Sequence, residues 1–137
     1  MIFDLNDDQR RIAETVIGVC ARDGLRFATP KKITIFLEAV IRKDGGFGSD
    51  VPICYLEFRS DEAGPYFLMV LEDNPYEYLE PGEARCGIDQ FFQILEQQIN
   101  HVKKYSRIEE DMAQLMISLI PEYRARLLEA EGIAHSD

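Results

Sequence analysis

The segment from Val51 to Asp73 constrains the fold more than any other stretch of this chain. It reads VPICYLEFRS-DEAG-PYFLMVLED, a strand, a turn and a second strand. In the first strand Val51, Ile53, Tyr55 and Glu57 alternate with Pro52, Cys54, Leu56 and Phe58. A period of two sends these sets to opposite faces of a sheet. In the second strand Phe67, Met69 and Leu71 share one face and Tyr66, Leu68 and Val70 the other. Gly64 supplies the left-handed residue of the turn. Pro52, with no N–H to give, fits only a strand start or an edge. Both faces are largely apolar, so both need cover, from flanking helices or from a second copy of the chain.

The flanks read as helix. Asn6 or Asp7 caps a first helix to about Asp23, with Ile12, Val16, Val19 and Cys20 on one face and Gly24 as the C′ stop. From Thr29 to Gly46 two patterns compete. As a helix, Thr29 is the N-cap, Pro30 sits at N1, and Ile33, Phe36, Leu37, Val40 and Ile41 form a single stripe. As a strand, the β-branched run at 32–42 adds a third member to the sheet. The boundary signals favour the helix. Residues 45–50 read as a loop, with neither the strand–helix order nor the lysine of a phosphate cradle.

Residues 73–86 also read as a loop. Asp89 caps a helix to about Tyr105 with Ile88, Phe91, Phe92, Leu95, Ile99 and Val102 on its apolar stripe. Ser106 and Glu109 form a capping box opening a last helix, which Pro121 kinks or splits before Gly132 ends it. The fold class is therefore α+β in a single domain, 1–137. An antiparallel β-hairpin or three-stranded sheet (51–59, 66–73 and, on the strand reading, 32–42) packs with four to five helices.

Charge divides the chain at the hairpin turn. Residues 1–60 hold nine basic and nine acidic side chains, whereas 61–96 holds only Arg85 against nine carboxylates. The whole chain carries −10. Such a field repels phosphate backbones and anionic lipid and attracts basic partners. Nucleic acid and membrane are accordingly not expected as partners. The first two helices resemble a helix-turn-helix only in outline, with Lys31, Lys32, Arg42 and Lys43 as its basic residues and no wider basic footprint.

Catalytic signatures are lacking. Cys20, Cys54 and Cys86 are far apart in sequence, and an odd, unpaired set suits reduced thiols in a cytoplasmic protein. The N-terminus has neither a basic n-region nor an apolar run of signal length. His101 and His135 stand in no HxH or HExxH pattern, so no metal or other cofactor is implied. A Cys86–His101 pair would have to be brought together by the fold.

The leading expectation is a non-enzymatic acidic protein that engages a basic protein partner through region 61–96. Tyr76 and Tyr78 would be apolar anchors among Asp73, Glu77, Glu80 and Glu83. Composition alone makes this compatible with small bacterial adaptor, chaperone, immunity or inhibitor proteins. The alternative is a small-molecule-binding domain or enzyme with a pocket between the sheet and helix 88–104. A third expectation is a homodimer formed through the two-faced hairpin or the C-terminal helix.

Overall fold

The computed structural model describes residues 3–43, 46–50, 52–62, 64–73, 80–105 and 110–133. Its elements run α1 (Asp7–Leu25), α2 (Pro30–Ile41), β1 (Phe47–Asp50), β2 (Ile53–Asp61), β3 (Gly64–Asp73), β4 (Gly82–Cys86), α3 (Ile88–Tyr105) and α4 (Glu110–Ala130). The strands form one antiparallel sheet in the order β1-β2-β3-β4. Every neighbour in sequence is therefore a neighbour in space. The architecture is α+β, with one strand more than the three-stranded expectation.

The two extra strands are corrections. Phe47–Asp50 and Gly82–Cys86 were expected as loop. Both are short and poor in β-formers, and each is held by the ladder of the longer strand beside it. β1 lies along β2, with Phe47 opposite Leu56 and Asp50 opposite Ile53. β4 lies along β3, with Phe67 opposite Cys86 and Leu71 opposite Gly82.

Residues 30–41 are helix, so the strand alternative for 32–42 falls. The Thr29 side chain accepts a hydrogen bond from the Lys32 N–H at 3.2 Å, and Pro30 occupies the first turn. α1 opens with a full capping box between Asn6 and Gln9. Its end differs from expectation, since Gly24 lies inside the helix. A Cβ there would come within 2.8 Å of the buried Phe36 ring. The glycine lets α2 approach α1; it does not stop the helix. The chain reverses at Phe27, whose φ of 53° is left-handed.

α3 starts one residue before Asp89. The Gly87 carbonyl accepts the Phe91 N–H at 2.9 Å, and the Gln90 side chain accepts the Gly87 N–H at 2.9 Å. Asp89 instead takes the Arg124 guanidinium at 2.6 Å. α4 runs unbroken through Pro121 from Glu110 to Ala130, so it is not split. It ends where Gly132 turns left-handed, and the Ile133 N–H reaches back to the Leu128 carbonyl at 2.9 Å. The capping box expected at Ser106 and Glu109 lies outside the described residues. Among the described residues no helix is long and apolar enough to cross a membrane.

The core lies on one side of the sheet. Cys54, Leu56, Phe58, Phe67, Met69, Leu71, Ala84 and Cys86 enter it together with the apolar faces of all four helices. α1 crosses all four strands, with α2 and α3 beside it and α4 closing the outside. The expected α3 stripe is buried throughout. Each such side chain removed from water contributes about 1.5–3 kcal/mol.

Candidate interaction surface

The opposite face of the sheet carries no helix among the described residues. Its side chains follow from the register, in rows across the strands. Asp50, Ile53 and Asp73 form the first row. Gly48, Tyr55, Val70 and Glu83 form the second. Glu57, Leu68 and Arg85 make the third, and Arg59 with Tyr66 the fourth. An apolar strip thus runs down the middle, with carboxylates flanking one end and arginines the other.

The arginine end covers itself. The Arg85 guanidinium lies 5.2 Å from the Tyr66 ring centre, and the Phe3 ring packs on Tyr66 at 5.6 Å. The Tyr66 hydroxyl donates to Asp61 at 2.8 Å, and Arg59 bonds Glu57. The long aliphatic arms shield apolar surface while their charges stay in water. Leu68 and Tyr66 are only 3% and 2% exposed, and among the described residues no helix lies above them. Beside them a depression of about 510 Å³ is lined by Lys43, Glu57, Arg59, Ser60, Asp61 and Tyr66, with both signs of charge.

The acidic end is open. Ile53 is 42% exposed between Asp50 and Asp73, and Tyr55 and Val70 are half-buried behind it. A β-bulge falls here: between Ile53 and Cys54 the partner on β3 jumps from Asp73 to Leu71, leaving Glu72 as the extra residue. Bulges re-aim side chains at strand ends. Asp50, Glu72, Asp73, Glu80 and Glu83 are all exposed. Arg85 lies 3.8 Å from Glu83.

Of the six residues expected in the site, the fold places Asp73 and Glu83 on this end of the sheet, on adjacent rows. Glu80 is exposed two residues before β4. Tyr76, Glu77 and Tyr78 lie outside the described residues. Sequence reasoning missed Ile53, Val70 and Asp50. The signal for Asp50 was weak, because FGSD does not read as a strand. For Ile53 and Val70 it was present, as the alternation of the hairpin, but the face left open was not apparent.

The space between the sheet and α3 is filled with rings. Phe67 stacks on Phe91 at 3.8 Å, Phe58 lies 5.0 Å from Phe67, and Phe92 meets Phe91 edge-on at 5.1 Å. This packing stands where the alternative pocket was expected. Clefts next to α3 open at its seams with other elements instead. One of about 300 Å³ lies between α3 and α4, lined by Asp89, Phe92, Gln93, Glu96, Ile120 and Arg124. A smaller one of about 180 Å³ lies at the α3 N-terminus beside Pro65, Leu128 and Ile133.

The thiols are held away from nucleophilic chemistry. Burial pushes Cys54 up to about 11 and Cys86 up to about 12. It pushes Cys20 up as well, with the nearby Cys54 adding to the effect. Cys86 and His101 do not form a pair. Cys86 is buried just before α3, and His101 is exposed near the far end of that helix, about 20 Å along its axis. Among the described residues no cluster of three His, Cys, Asp or Glu side chains could hold a metal ion. Comparison with protein-family models, with curated proteins and with solved structures finds no match to this chain.

Proposed function

We propose that this chain is a non-enzymatic binding protein that holds a basic protein partner on the open, acidic end of its sheet. The observation that carries this is Ile53, exposed on a strand and set in one row between two carboxylates, Asp50 and Asp73. An apolar centre ringed by like charge suits a partner surface with an apolar side chain among lysines or arginines. Region 61–96 supplies most of the ring, and β1 adds Asp50. The carboxylates would steer the encounter, and Ile53, Tyr55 and Val70 would set the lifetime of the complex. The buried, protonated thiols and the ring-filled interlayer space favour binding over catalysis.

The experiment is capture from the organism's own extract on immobilised wild-type chain and on Asp73→Lys/Glu83→Lys. The captured protein is then identified and its kinetics measured with purified components. Its association rate should fall about tenfold or more when salt rises from 50 to 500 mM. The double variant should bind far more weakly. Equal binding by the variant or, for a partner of net positive charge, a rate that ignores salt would sink the proposal.

A further inference from the structure

We infer that the basic surface presented to this acidic end is the α1–α2 corner of a second copy of the same chain; this rests on the function proposed above. Three locally unfavourable choices meet at that corner. Phe27 has a left-handed φ of 53°, which costs any residue with a Cβ. Its ring is also 86% exposed, so the strain secures no burial within the chain. Lys31 and Lys32 occupy the first turn of α2, where the helix dipole is already positive, and no acidic residue offsets them. Ile35, on the same exposed stripe of α2 as Lys31 and Arg42, is 56% exposed. The left-handed turn itself ends α1, and Lys32 Nζ donates to the Phe27 carbonyl at 3.3 Å. It is the two large apolar side chains left bare among basic residues that point to an external contact.

The two surfaces complement each other in kind. Residues 22–43 hold six basic and two acidic side chains, against one basic and nine acidic in 61–96. Phe27 and Ile35 would meet Ile53, Tyr55 and Val70, with Arg26, Lys31 and Lys32 facing Asp50, Asp73 and Glu83. The corner belongs to the helical layer and the acidic end to the opposite face of the sheet, so one copy cannot join its own two surfaces. The contact is head-to-tail and does not close at two copies by symmetry. Copies carrying −10 repel at long range. In 0.15 M salt that repulsion is screened beyond about 8 Å, and close complementary pairs keep their attraction.

The test is sedimentation velocity in 0.15 M salt over a wide range of protein concentration. It compares wild type, an acid-face variant Asp73→Lys/Glu83→Lys and a corner variant Phe27→Gly/Lys31→Glu. Wild type should grow past a dimer as concentration rises, and each variant alone should stay monomeric. An equimolar mixture of the two variants retains one intact interface and should give a dimer that grows no further. Phe27→Gly alone should melt at a higher temperature than wild type yet associate less, which separates lost contact from lost folding. A wild type monomeric throughout, one that stops at a dimer, or a mixture that stays monomeric would each overturn the inference. So would wild-type binding to phosphatidylserine vesicles that the corner variant loses, in the absence of self-association. If wild type stays monomeric but still captures a different basic protein in a salt-dependent way, this inference fails and the proposed function stands.

Discussion

The two faces of the sheet are made by the same strands and differ in every second residue. The inner face presents Cys54, Leu56, Phe58, Phe67, Met69, Leu71, Ala84 and Cys86 without one charge. The outer face interleaves Ile53, Tyr55, Tyr66, Leu68 and Val70 with Asp50, Glu57, Arg59, Asp73, Glu83 and Arg85. Apolar content on both faces suggested cover on both. A face that carries long charged side chains can cover half of itself, as Arg85 does over Tyr66. The end whose carboxylates are short and mutually repelling stays open. The difference between self-covered and open halves, more than that between apolar and polar, locates the candidate surface.

The same leucine deletion on each face tests this most strongly. Leu56→Ala removes a side chain enclosed by the helical layer, and should cost about 3–4 kcal/mol because rigid neighbours cannot collapse into the hole. Leu68→Ala removes an equally buried side chain flanked by Glu57 and Arg85. Those arms can fold inward, so the expected loss is about 1–2 kcal/mol. Urea midpoints for the two variants give the comparison. Equal losses would show the outer face to be as firmly enclosed as the inner one.

The thiols probe the inner face alone. Cys54 and Cys86 are raised by burial from an ordinary 9.0 to about 11 and about 12. Their neutral form is favoured in the folded state. The stability this represents is fully present below pH 9 and is lost as pH rises from 9 towards 11 and 12, because only the unfolded chain then gains by ionising. The loss is about 1 kcal/mol per thiol at pH 10. Denaturation midpoints from pH 7 to 10 should fall more steeply for wild type than for Cys54→Ala/Cys86→Ala. Identical slopes would mean that water reaches the inner face.

Local signals revealed the helices. Thr29 and Pro30 marked the start of α2, Asn6 or Asp7 that of α1, where the structure puts Asn6 at the N-cap, and the six-residue stripe of α3 is buried throughout. What was not legible depended on partners distant in sequence or on space. β4 has the alternation Glu83 out, Ala84 in, Arg85 out, Cys86 in, but five residues containing Gly and Glu do not announce a strand until β3 offers its free edge. Gly24 looked like a helix stop because its packing against Phe36 is a tertiary fact. The candidate surface was legible in part as charge, since Asp73 and Glu83 belong to the acidic stretch 61–96 that begins at the hairpin turn. Ile53 was not, because an alternating strand does not say which of its faces the helices will take.

Ile53→Ser should give the smallest change in stability and the sharpest separation between the halves of the outer face. The side chain is already 42% exposed, so its removal should lower the unfolding free energy by only about 1 kcal/mol. Its neighbours Asp50 and Asp73 are unaltered, so the steering field and the salt dependence of association should persist. The dissociation rate should rise, because the apolar contact is the part of the surface that determines how long the complex lasts. Melting curves and dissociation kinetics on the same preparation read both quantities. A large loss of stability would place Ile53 with the covered half of the face, and an unchanged dissociation rate would remove it from the contact.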